Sequence, residues 1–209
     1  EMVSAKALYY KDKKTRRLMA VAQDEAPVSL QLFGDEADIF RVVLKDLGDE
    51  LKIYRSLDIN MGCPAPKIVK TGAGSALLKT PDKARGILEA CVETSPIPVS
   101  VKIRKGFEEG SEDGMEIAKI AEAAGVSEIT VHGRSREAYY SGSADWDFIF
   151  RVAKAVNVPV VGNGDIQRAE DVLNHMDESF EGVAIGRGAV GHPFLFREIR
   201  AALRGEAME

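Results

Sequence analysis

Short apolar, β-branched runs recur along this chain at a nearly fixed interval, and that period limits the folds open to it. The runs occupy residues 27–33, 56–61, 98–104, 128–132, 159–163 and 182–186. Their midpoints, Leu30, Ile59, Val101, Val131, Val161 and Ile185, stand 29, 42, 30, 30 and 24 residues apart. Strands separated by helix-sized connections of about 30 residues are the mark of repeated βα units and a parallel sheet, an α/β chain. The intervals support this. Helices are predicted over 82–94, 113–124, 145–156 and 169–176, where apolar residues such as Ile117, Ile120, Ala121 and Ala124 keep helical spacing and Gly125 supplies a stop.

Two closures of such a sheet compete, an open doubly wound sheet and a (β/α)₈ TIM barrel. The regular unit, and the absence of a Gly-x-Gly-x-x-Gly segment after the first strand, favour the barrel. Six strands are read directly, and Met2-Val3-Ser4 reads as the end of a seventh. The expectation is therefore an incomplete barrel, about seven of eight strands, in a single catalytic domain over 1–209 that is truncated at both ends. A chain of 209 residues with 45% hydrophobic residues can bury one such core. Two cysteines do not make a disulfide scaffold, so a reducing, cytoplasmic setting is expected. No apolar run is long enough to span a membrane, and no cysteines or histidines fall at metal-ligand spacing, so neither membrane nor metal is expected.

Polar residues appear where a barrel wall should be apolar. Gln31, Asn60, Lys102, His132 and Asn163 each sit near the C-terminal end of a different predicted strand. Burying an unpaired amide or ammonium costs several kcal/mol, so such groups need partners, and that end of a barrel is where its enzymes place their sites. Each alone is more often a satisfied structural residue; five at matching positions argue for convergence. Gly162-Asn163-Gly164-Asp165 and Gly186-Arg187-Gly188 close the last two strands. Loops at these positions commonly bind phosphate, with glycine admitting close backbone approach and Arg187 supplying a fixed cationic fork. Ordinary turn chemistry is the competing reading of either motif.

Between Asn60 and Pro81 runs a long loop that opens with Gly62-Cys63-Pro64. Loops of that length in a compact domain are usually functional. Cys63, just past a strand end, suits a reactive thiol or proton donor, whereas Cys91, between Ile87-Leu88 and Val92, reads as a small buried hydrophobe. Lys67, Lys70, Lys79, Arg104, Lys105, Arg134, Arg136 and Arg168 all follow strand ends, while Glu108, Glu109, Glu112 and Glu116 crowd elsewhere. A basic mouth on a chain of net charge −5 suits a polyanionic substrate.

Taken together, Asp58-Ile59-Asn60-Met61-Gly62-Cys63-Pro64, Gly72-Ala73-Gly74-Ser75-Ala76-Leu77, Val101-Lys102-Ile103-Arg104, Val131-His132-Gly133-Arg134-Ser135-Arg136 and Gly186-Arg187-Gly188 resemble the motifs of the tRNA-dihydrouridine synthases, in the same order. The resemblance implies an FMN-dependent barrel that reduces particular tRNA uridines to 5,6-dihydrouridine, with NADPH (or NADH) as reductant. It implies that Gln31, Lys102 and His132 contact FMN, and that Asn163, Gly164, Asp165, Gly186 and Arg187 hold its phosphate end. Hydride would pass from the reduced flavin to C6 and a proton from Cys63 to C5, with Asn60, Arg134 and Arg136 facing the substrate. Lys102 would stabilise negative charge on the reduced cofactor, and the uracil would have to leave its stack. The family's first strand, with a Pro-Met-Ala-type turn, and its C-terminal helical domain have no match here, so weakened FMN and tRNA binding is expected. Two other readings stand beside it: a sugar-phosphate isomerase or aldolase with Lys102 as Schiff base, and an inactive RNA-binding fragment.

Overall fold

A computed structural model of the chain describes residues 2–22, 24–176 and 181–206. Among the described residues seven strands form one sheet: β1 (Met2–Ser4), β2 (Ser29–Phe33), β3 (Ser56–Met61), β4 (Val99–Arg104), β5 (Glu128–His132), β6 (Val160–Asn163) and β7 (Gly182–Ala184). They lie in chain order and every neighbouring pair is parallel. A doubly wound sheet would reverse its strand order at a switch point, and this sheet never does. The architecture is seven consecutive units of a (β/α)₈ barrel. No pairing joins β7 to β1 among the described residues.

The helices are α1 (Ala5–Tyr9), α2 (Lys13–Arg17), α3 (Ala37–Leu47), α4 (Pro66–Val69), α5 (Pro81–Thr94), α6 (Asp113–Ala124), α7 (Trp146–Ala155), α8 (Ala169–His175) and α9 (Leu195–Leu203). Local chemistry sets their ends. Pro81 opens α5, Gly125 closes α6 with φ 87°, and Asp145 caps α7 by accepting the Phe148 N–H at 2.8 Å. The four predicted helices stand within a residue or so of these bounds. The last strand is shorter than read from sequence, ending at Ala184 and leaving Ile185 and Gly186 in the following loop.

The period of two along each strand divides the residues between two environments. Leu57, Ile59 and Met61 of β3, Val99, Val101 and Ile103 of β4, and Ile129 and Val131 of β5 are buried beneath the helices. They pack with Phe40, Val43 and Leu44 of α3, Leu88 of α5, Ile117 of α6 and Phe148 of α7. Each such side chain contributes about 1.5–3 kcal/mol of burial. The alternate residues turn inward and are polar, and they pair between neighbouring strands. Ser29 and Ser56 hydroxyls stand 2.7 Å apart, and the Ser100 hydroxyl donates to Asp58 at 2.8 Å. The core therefore lies between sheet and helices, and the barrel interior is left to chemistry. Among the described residues no helix is long and apolar enough to cross a membrane, and no group of three His, Cys, Asp or Glu is placed to hold a metal.

Candidate functional site

A cavity of about 640 Å³ opens at the C-terminal ends of the strands. Gln31, Asn60, Cys63, Lys102, His132, Asn163, Gly164, Asp165, Gly186 and Arg187 all line it, so five strands and three loops deliver side chains to one place. The volume lies within the range of small-molecule and cofactor sites.

Strand register holds the polar ring. Asn60 stands opposite Lys102 and His132 opposite Asn163 on neighbouring strands. The Lys102 ammonium donates to Asn163 Oδ1 at 2.8 Å, and Asn163 Nδ2 donates to the Ala184 carbonyl at 2.7 Å. The first of these bonds ties β4 to β6 across β5. Burial lowers the Lys102 pKa to about 8, with Arg104 adding repulsion and Asp58 opposing it. His132 is pushed down to about 2 by burial, then by Arg104, Lys102, Arg134 and Arg187. It is a neutral imidazole, and its buried Nδ1 has no partner.

Cys63 is pinned from both sides. Its N–H donates to Asn60 Oδ1 at 2.9 Å, and its carbonyl accepts from the Ser75 N–H at 3.1 Å and the Ser75 hydroxyl at 2.9 Å. Gly74 makes this approach feasible: it has φ +61°, and a Cβ there would sit 2.9 Å from the Cys63 oxygen. The thiol is half-buried on the cavity wall. Cys91 is fully buried in α5, and burial pushes its thiol well above the ordinary range.

Arg134 and Arg136 are not brought to the cavity lining. The Arg134 side chain is 3% exposed and bound to the Ser141 and Gly142 carbonyls and to Asp165 at 2.8 Å. Arg136 packs its guanidinium 5.2 Å from the Phe107 ring. The Asp165 carboxylate also accepts the Ala144 N–H at 2.7 Å. Burial raises its pKa, but that bond and the charges of Arg134 and Arg187 outweigh burial and hold it below the ordinary range. An ionised carboxylate repels a phosphate, so this side chain suits the holding of Arg134 and Arg187 rather than direct anion contact. Arg187 lies 3.9 Å from it and remains 61% exposed.

Among the lining residues not singled out as site residues from sequence are Arg104 and Tyr140. Arg104 is buried and donates to the carbonyls of Gly62, Ser135 and Tyr139, stitching the loops after β3 and β5 together. Tyr140 sits at the rim between Arg187, at 4.4 Å, and Arg104, at 5.6 Å. The signal for Arg104 was its place two residues beyond Lys102, on the same strand face. Nothing local marks Tyr140.

The family model for dihydrouridine synthases (Dus) matches residues 1–209. A probable tRNA-dihydrouridine synthase of Rickettsia conorii is 40% identical over 202 residues, 95% of this chain and 60% of the relative. The tRNA-dihydrouridine synthase B of Pseudomonas syringae pv. tomato is 39% identical over 203 residues, 95% of this chain and 59% of the relative. A probable tRNA-dihydrouridine synthase of Rhodobacter capsulatus is 45% identical over 185 residues, 87% of this chain and 56% of the relative. The chain thus spans about 60% of the length of these curated relatives. With motif order, barrel architecture and family model in agreement, the chain belongs to the dihydrouridine synthase family.

Proposed function

We propose that the chain carries the flavin-binding and catalytic part of a cytoplasmic enzyme that reduces uridines in tRNA to 5,6-dihydrouridine at the expense of NADPH or NADH. The observation that carries the reading is the convergence of Gln31, Asn60, Cys63, Lys102 and His132 on one cavity whose far side is the glycine-rich pair of loops around Arg187. Family membership and the placement of Cys63 favour it over a sugar-phosphate aldolase, which gives the thiol no task.

FMN fits the residues present. The cavity offers an unpaired buried His132 Nδ1, a cation at Lys102, amides at Gln31 and Asn163, and an exposed Arg187 beside open glycine backbone. Gly186 has nothing within 4 Å of where a Cβ would stand, which leaves room for a phosphate beside Arg187. In this reading Gln31, Lys102 and His132 hold the ring system, and Asn163, Gly164, Asp165, Gly186 and Arg187 form the phosphate end, with the Asp165 carboxylate keeping Arg187 in place. FMN held by these residues would supply the hydride chemistry for the C5–C6 double bond. The chain's own contribution is positional and protic. Cys63, fixed through its backbone, holds its proton on the cavity wall for delivery to C5. Asn60 fixes the Cys63 N–H and faces the substrate. Arg134 and Arg136 brace the loop after β5, on which Tyr140 stands.

Incubation of the chain with FMN, NADPH and unmodified tRNA, with dihydrouridine quantified by nucleoside mass spectrometry, tests the proposal. Cys63→Ala is expected to retain flavin absorbance and to lose about 10²–10⁴ in rate, the usual worth of a positioned proton donor. Failure to bind FMN at millimolar concentration overturns the cofactor assignment. Undiminished turnover in Cys63→Ala overturns the proton-donor assignment.

A further inference from the structure

Beneath the cavity a chain of side-chain hydrogen bonds runs from the barrel interior to the Cys63 backbone. The Ser100 hydroxyl donates to Asp58 Oδ1 at 2.8 Å, and Gln31 Nε2 donates to Asp58 Oδ2 at 2.5 Å. Asn60 Nδ2 donates to Gln31 Oε1 at 2.9 Å. Asn60 Oδ1 then accepts the N–H of Gly62 at 3.2 Å and of Cys63 at 2.9 Å. Three strands and the catalytic loop are joined by this one path.

Its direction is not arbitrary. A primary amide has a donor end and an acceptor end and can be turned over, so two amides in series carry no preferred sense of their own. An ionised carboxylate only accepts. With Asp58 at the head, Gln31 must present its NH₂ to Asp58 and its oxygen to Asn60. Asn60 must then give its NH₂ to Gln31 and keep its oxygen for the loop. Reversal would aim the Asn60 NH₂ at the Cys63 N–H, donor against donor. Asp58 is absent from the cavity lining. Burial holds its carboxyl above the ordinary range, and the two donors and the nearby Lys102 charge offset only part of that rise.

We propose that Asp58 is a positioning residue for Cys63: as the pure acceptor that ends the Ser100–Asp58–Gln31–Asn60 path, it holds both amides in the sense that the Gly62 and Cys63 N–H donors require and so anchors the backbone beneath the thiol. The relay is a property of the chain alone. Its consequence for uridine reduction rests on the proton-donor role proposed above.

Alkylation of Cys63 by iodoacetamide in the flavin-free chain, followed peptide by peptide with buried Cys91 as internal reference, reads the relay without flavin or tRNA. Asp58→Asn keeps the shape and replaces the charged pure acceptor by a weaker, neutral one, loosening that end of the path, and is expected to speed alkylation about fivefold, the population change that one net hydrogen bond allows. Gln31→Met cuts the path without removing a charge and gives the same rise. The double variant Asp58→Asn with Gln31→Glu exchanges amide and carboxylate between the two positions and restores a charged pure acceptor to the path. The introduced amide can donate to the introduced carboxylate, and that carboxylate can only accept from Asn60. Alkylation of the double variant returns to the rate of the parent chain. In the FMN-loaded enzyme, Asp58→Asn lowers kcat and leaves KM for tRNA unchanged. Equal alkylation rates in the parent, Asp58→Asn and Gln31→Met chains overturn the proposal. Altered alkylation with undiminished dihydrouridine formation upholds the relay and overturns the role of Cys63.

Discussion

His132 and Lys102 are basic groups placed where the charged form is disfavoured, and each leaves a signature in stability. The folded imidazole titrates near 2, against an ordinary 6.5. As pH falls through the unfolded value, the unfolded chain takes up a proton that the folded chain refuses. Stability is therefore whole above that value and declines below it, by about 2 kcal/mol between pH 7 and pH 5. Urea denaturation across that range measures it, and His132→Gln is expected to remove this part of the slope. The difference between the two curves isolates His132 from His175, whose imidazole burial also holds low. Identical curves would show that His132 charges freely. Lys102 titrates near 8 in place of 10.5, so its buried charge costs stability below pH 8 and the cost is relieved as pH rises toward the unfolded value. Lys102→Met is thus expected to stabilise the flavin-free chain at neutral pH by about 2 kcal/mol, after allowing for the lost bond to Asn163, and to abolish FMN binding. A lower melting temperature in that variant would show that the bond outweighs the buried charge. Both residues were legible in the sequence only as members of a set, because five polar side chains at matching strand ends have few innocent explanations together. Arg104 was legible only as a member of the basic mouth, since its partners are three carbonyls on two loops that no local pattern brings together.

At the scale of elements, strands and long helices followed from period and caps, and the misses share a cause. Helix α3 carries Phe40, Val43, Leu44 and Leu47 on one buried face, the same spacing that identified α6; like α6 it lacks a side-chain cap, and Glu36-Ala37 supplies no start signal. The short helices around Cys63 have no period to read. Residues 74–79 form a 3₁₀ turn, and the loop is shaped by contacts with β3, α5 and α6. Its glycines hold the information instead. Gly74→Ala forces a Cβ to 2.9 Å from the Cys63 oxygen in a left-handed backbone, and is expected to cost about 1–3 kcal/mol. Because that oxygen also accepts both Ser75 bonds, the variant should displace the thiol as well. Thermal denaturation and the Cys63 alkylation rate are expected to move together, and a change in stability alone would mean that the loop absorbs the strain elsewhere.

For the molecule as a whole, composition pointed to a basic mouth of eight residues, and the structure divides them. Arg104 and Arg134 are buried in the walls, and Arg136 is stacked on Phe107. Lys105 is bound to Asp145 and Glu112, and Lys79 to Glu108. Among the described residues Lys67, Lys70 and Arg168 remain exposed without an ion pair, whereas Arg187 at the rim is paired with Asp165. Sequence could place these charges at strand ends, but which of them face solvent depends on carboxylates and carbonyls contributed by other units. The distinction is measurable through salt. Each phosphate neutralised by a protein cation contributes somewhat less than one to the slope of log affinity against log salt. About three exposed, unpaired cations at the mouth therefore predict a slope of about −2 to −3 for tRNA binding by this chain, against about −7 if all eight engaged phosphate. Lys67→Ala with Lys70→Ala is expected to flatten the slope by about two and to weaken binding tRNA by tRNA alike, because both lysines lie outside the cavity lining and meet only backbone charge. Neutralising Lys105 or Lys79, whose charges are already answered within the chain, should leave the slope where it was. A filter-binding or fluorescence-anisotropy series from low to physiological salt separates the two outcomes, and a steep slope that falls with Lys105→Ala would mean that tRNA breaks the internal ion pairs and recruits the walls.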